Sequence, residues 1–80
     1  MKEHIDYLST LFVGINIVSH IHVISALDFN QNFYIKMKPF KNTKEGAGIV
    51  KKMIADVLTD NHPFKYVVIG MESTGFYLLS

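Results

Sequence analysis

The chain predicts an α/β domain, and three observations carry the expectation. Apolar, β-branched runs of strand length occupy residues 11–18, 22–28 and 65–71, and an apolar–polar alternation fills 33–38. One amphipathic helical period covers 42–60. That helix stands between the third strand and the fourth, and helical crossovers join strands that run parallel in one sheet. The expected architecture is a three-stranded antiparallel meander, a crossover helix and a parallel fourth strand. With 80 residues the chain has material for one domain, taken as 11–80 behind an N-terminal extension at 1–10.

The elements follow in order. LFVGINIV (11–18) has apolar residues at both parities, so both faces of this strand are expected to be covered. Residues 19–21 connect it to HVISALD (22–28). Asp28, Asn30, Gln31 and Asn32 then favour a turn. In FYIKMK (33–38), Phe33, Ile35 and Met37 share one face and Lys36 and Lys38 the other. Pro39 donates no N–H, so it ends the pairing or lies on an edge. Asn42-Thr43-Lys44-Glu45 reads as a capping box with Asn42 as the cap. Ile49, Val50, Met53, Ile54, Val57 and Leu58 form the core stripe of the helix. Gly46 and Gly48 weaken its first turns by roughly 1 kcal/mol each relative to Ala, and the alternative is that Gly46 and Ala47 allow close approach to the sheet. Asn61-His62-Pro63 stops it, and KYVVIGM (65–71) returns as a parallel, buried strand.

Composition narrows the function classes. The chain has no cysteine, which excludes disulfides and thiolate metal sites. A net charge of +1 excludes a domain that binds nucleic acid through overall basicity. The start MKEHIDYLST lacks the apolar core of a signal peptide, and no apolar run approaches the ~20 residues of a membrane span. The expectation is a cytoplasmic protein with no membrane partner and no small-molecule substrate.

One acid is unusually placed. VVIGMESTGFY delivers Glu72 where an apolar strand runs out. The order strand–strand–strand–helix–strand is shared by the first half of a ribonuclease H-like fold and by the start of many other α+β domains, so order alone does not name the fold. In a polynucleotidyl-transfer site, carboxylates from adjacent strands hold two divalent ions about 4 Å apart, which activate the attacking oxygen and stabilise the leaving one. The two positions such a site requires are the middle of the first strand and the end of the parallel strand. They hold Asn16 and Glu72. Asparagine has the volume of aspartate without its charge, so a metal site built on this pair is damaged.

The motifs carry a resemblance. FVGINIVSHIHVISAL is similar to the first motif, roughly FVGIDVSKxxHxVAAL, of DEDD-type insertion-sequence transposases of the IS-one-ten/Piv invertase family, matching at Phe12, Val13, Gly14, Ile15, His22, Ala26 and Leu27. Asn42-Thr43-Lys44-Glu45-Gly46 resembles the family's N-T-x-E-G at a helix start, and Val68, Glu72, Thr74, Gly75 and Tyr77 fit its second motif VxxExTGxY.

The resemblance implies a ribonuclease H-like domain whose four acids bind magnesium to cut and join DNA, in some members guided by an RNA. It implies catalytic positions at Asn16 and Glu72, with Glu72 a vestigial metal ligand. Asn16 stands for the family's first Asp, Val18-Ser19 for its Ser-Lys, and Ser73 for a common Pro. The third and fourth acids lie beyond the region matched. The expectation is therefore an inactive fragment or degenerate remnant of a transposase, binding no magnesium itself. The alternative is a non-catalytic module that forms a homo-oligomer or pairs with an intact transposase.

Other candidates are weaker. Lys36, Lys38 and Lys41, with Lys44, form a basic cluster that suits a nucleic-acid contact or a lysine-protected strand edge. His20 and His22 are spaced to share a strand face, but nothing nearby completes a zinc site, and His22 is expected to be structural. Asp28 is expected to serve turn chemistry.

Overall fold

The computed structural model describes residues 6–18, 20–60 and 64–73. A 3₁₀ turn at Tyr7–Ser9 leads into β1 (Thr10–Ile17), β2 (Ile21–Leu27) and β3 (Phe33–Lys41), then α1 (Lys44–Asp60) and β4 (Tyr66–Ser73). The sheet order is β3-β2-β1-β4, with β1 antiparallel to β2, β2 antiparallel to β3, and β1 parallel to β4. The α/β class and the order meander, crossover helix, parallel strand are as the sequence predicts. Thr10, grouped above with the leading extension, starts β1 and is fully buried, its hydroxyl donating to the Asp6 carbonyl at 2.7 Å. The expected helix stop at Asn61-His62-Pro63 and the motif residues Thr74, Gly75 and Tyr77 lie outside the described residues.

The core lies on one face of the sheet. Leu11, Val13 and Ile15 of β1 meet Ile24 and Ala26 of β2, Ile35 of β3, and Val50 and Val57 of α1. Gly14 and Asn16, at the alternate positions of β1, are exposed. Coverage of both faces is thus corrected: one helix covers one face. The buried fourth strand is corrected too. Val67, Ile69 and Met71 pair with Leu11, Val13 and Ile15 and so share their face, yet remain 38%, 54% and 67% exposed. The helix packs chiefly on β3, at the far edge, and leaves β4 uncovered.

The third strand departs from its alternation. Ser25 of β2 is spanned by two residues of β3, Lys36 and Met37, because Ile24 pairs with Lys38 and Ala26 with Ile35. This is a β-bulge, and Met37 takes φ 49°, with its N–H donating to the Ser25 hydroxyl at 3.1 Å. Ile35 is buried as expected, but Met37 and Phe33 are exposed, since the extra residues shift the pleat. Pro39 stays within β3 opposite Val23, which an edge strand permits.

At the helix start the cap is Thr43, not Asn42. The Thr43 hydroxyl accepts from the Gly46 N–H at 3.0 Å, while the Asn42 N–H donates to the His20 carbonyl at 3.2 Å. Gly46 is buried, and a Cβ built on it would overlap the Lys41 carbonyl oxygen, so glycine is required for close approach. Ile49 and Leu58, expected in the core stripe, are exposed at its margins.

Asp28 organises the β2–β3 turn. Its carboxylate accepts from the Asn30 and Asn32 N–H groups, both at 2.9 Å, and from the Asn32 side-chain amide and the Tyr34 hydroxyl, both at 3.0 Å. The Asn32 side chain and backbone, followed by Tyr34 and Asn30, hold the Asp28 carboxyl below its ordinary value against a smaller opposing effect of burial. Burial, then the bond to Asp28, pushes the Tyr34 hydroxyl up. A carboxyl depressed in the folded state contributes stability that is complete above its unfolded value, about 3.9, and is lost as pH falls through the folded value. Asp28→Asn is therefore expected to lower the melting temperature at pH 7 and to flatten its decline below about pH 4. Thermal melts across that range check this, and an unchanged acid limb would assign it to other carboxylates.

Candidate functional site

The face opposite the helix carries the candidate site. Because parallel neighbours in register point the same way, the pairing of Asn16 with Glu72 sets an amide beside a carboxylate across β1 and β4. Both are exposed and both lie near the carboxyl ends of their strands, where ligands of open α/β sheets bind. On β2, Val23 lies opposite Asn16. Two residues back, Ser25, Gly14 and Gly70 form the next row across the sheet.

These rows floor a shallow groove of about 620 Å³, walled by Leu27, Phe33 and Met37. A Cβ at Gly14 or Gly70 would meet nothing within 4 Å, so packing does not demand glycine there. The missing side chains leave open space over the floor, the position in which strand glycines admit close approach of another molecule. Outside the groove, Tyr7 stacks between Phe12 and Phe29, with ring centroids 6.3 and 6.0 Å apart. The groove itself sets the apolar side chains of Leu27, Phe33 and Met37 beside the polar pair Asn16 and Glu72.

The chemistry of the polar end is limited. Glu72 supplies one negative charge, and Asn16 one acceptor oxygen and two donor hydrogens. Among the described residues no three His, Cys, Asp or Glu side chains gather into a metal-binding group. This donor set does not fit a pair of magnesium ions, which need several carboxylates to neutralise them.

The three lysines do not form one patch. Lys36 lies over the Phe33 ring, 5.6 Å from its centroid, at the rim of the groove. Lys38 is paired with Ile24 and borders Asp56 and Asp60 of α1 on the helix side. Lys41 ends β3 opposite Ile21. The histidines are separated as well. The buried His22 ring packs edge-to-face on Phe40 at 5.4 Å, and its Nδ1 accepts from the Val18 N–H at 3.2 Å, whereas His20 is exposed. Sequence reading missed the parts played by Met37 and Ser25. FYIKMK reads as an unbroken alternation, and only strand pairing reveals the extra residue.

Fold and site together define an α/β domain with a carboxylate–amide pair at the ends of two parallel strands. The chain matches no protein-family model, no curated protein and no solved structure.

Proposed function

We propose that this chain is a ribonuclease H-like N-terminal portion of a DNA transposase of the IS-one-ten/Piv invertase kind, and that it has lost catalysis. The observation that carries the reading is the register of Asn16 on Glu72. A sequence resemblance demanded that these two residues, more than fifty positions apart, sit side by side on parallel strands. A strand slip of one residue would have put them on opposite faces. The shared groove with its glycine floor agrees with a surface once shaped for a large substrate.

In such a site Asn16 takes the place of a charged ligand, and Glu72 alone cannot hold two hard cations. The magnesium chemistry of the parent family therefore does not transfer to these residues. DNA, and a guide RNA, belong to the reading only as ancestral partners.

Magnesium calorimetry tests the site. The wild-type chain is expected to show no saturable heat up to about 10 mM metal, as a lone carboxylate has too little charge. Asn16→Asp sets like charges directly opposite across β1 and β4, which costs roughly 0.2–1 kcal/mol. Its melting temperature at pH 7 is expected to fall, and millimolar magnesium to restore part of the loss while affinity stays weak. Micromolar binding by the wild type would sink the reading of a disabled site. An Asn16→Asp variant indifferent to metal and to loss of Glu72 would show that the pair is not a ligand site.

A further inference from the structure

The two edges of the sheet are built differently. The β3 edge carries Lys36, Lys38, Lys41, Pro39 and the bulge at Met37, the devices that keep an edge strand from pairing. Among the described residues the β4 edge has none of them. Its eight residues, YVVIGMES, include no proline, no lysine and one charge, and lie flat against β1 with every position from Thr10 to Ile17 paired in register. Tyr66, Val67, Val68, Ile69 and Met71 are all more than a third exposed. An unguarded strand of this kind is a template for strand addition.

We propose that β4 pairs antiparallel with β4 of a second copy of this chain, joining two four-stranded sheets across a two-fold axis. The charge pattern selects this occupant and direction. Lys65 stands just ahead of the strand and Glu72 near its end. An antiparallel copy brings the Lys65 end of one strand toward the Glu72 end of the other, an attraction through solvent that is felt at low salt, where the Debye length reaches about 30 Å. A parallel copy would set the two Glu72 carboxylates side by side. Centred on Ile69, the pairing places Ile69 against itself, Val67 against Met71, and Tyr66 against Glu72. Opposed residues share a face, as antiparallel pairing requires. The two Glu72 groups are then roughly 20 Å apart, six residues at about 3.3 Å each. This proposal does not depend on the ancestry of the chain.

Sedimentation velocity of the full chain from about 1 to 200 μM tests it, spanning affinities typical of small interfaces. The expected result is a discrete monomer–dimer equilibrium. Ile69→Lys, which gives β4 the guard residue that β3 already has, should weaken it at least about tenfold. Lys65→Glu and Glu72→Lys should each weaken it by about tenfold at low salt, and the double exchange should restore it to within about threefold. Circular dichroism confirms that each variant is folded, and the charge exchange stands without Ile69→Lys if that variant is not. A chain monomeric throughout, association that grows beyond the dimer, or single charge reversals without effect would each overturn the proposal.

Discussion

Gly46→Ala is expected to be far more damaging than its single added methyl suggests. The new Cβ would collide with the Lys41 carbonyl, which belongs to the backbone and cannot rotate away. Relief requires the first turn of α1 to lift from β3, loosening the Thr43 cap and the seating of Val50. Overpacking of this type costs about 1–3 kcal/mol, and the upper end is expected because no flexible side chain can absorb it. For a domain this small that lowers the melting temperature by roughly 10–20 °C. Gly48→Ala is the control. Its Cβ would meet nothing within 4 Å, so helix propensity alone acts and the variant gains about 1 kcal/mol. Denaturant melts of the two proteins decide the matter, and equal tolerance would refute the close-approach account.

The second large effect concerns the proposed ancestry. Grafted in place of the matching half of an active family transposase, the unmodified chain is expected to support no strand transfer. The same graft carrying Asn16→Asp is expected to recover activity by about a hundredfold or more, since even outer-shell changes at metal sites cost 10–100-fold. The residue at position 16 would touch the ion directly. A folded graft that stays inactive with the aspartate restored would count against the ribonuclease H-like reading.

Magnesium and Asp28 thus probe separate parts of the molecule, the polar end of the groove and the β2–β3 turn, whereas the β4 edge shares Glu72 with the groove. The carboxylate of Asp28 finds its partners within six residues, in its own turn and at Tyr34 of the next strand. Glu72, by contrast, acquires meaning only from a strand more than fifty residues away.

Local chemistry accounts for what was legible. The β-branched runs, the turn residues after Asp28 and the 3.6-residue period before Asp60 each specify an element from near neighbours alone. The pairing of Asn16 with Glu72 was expected only through the resemblance, because no local pattern fixes the register of strands so far apart in the chain. Burial was less legible. Phe12 and Val18 made β1 look apolar on both faces, whereas Phe12 is sheltered by the Tyr7 ring and Val18 lies beyond the strand.

The amino-acid order by itself determined the elements, their sequence and the uncharged amide at position 16, since these follow from side-chain identity and short-range periodicity. Tertiary structure alone decided that Met37 leaves the core, that Thr43 rather than Asn42 caps the helix, and that β4 stands uncovered. Each depends on where one element lands on another: a bulge exists only between paired strands, and a single helix seated over β3 cannot also cover the opposite edge of the sheet.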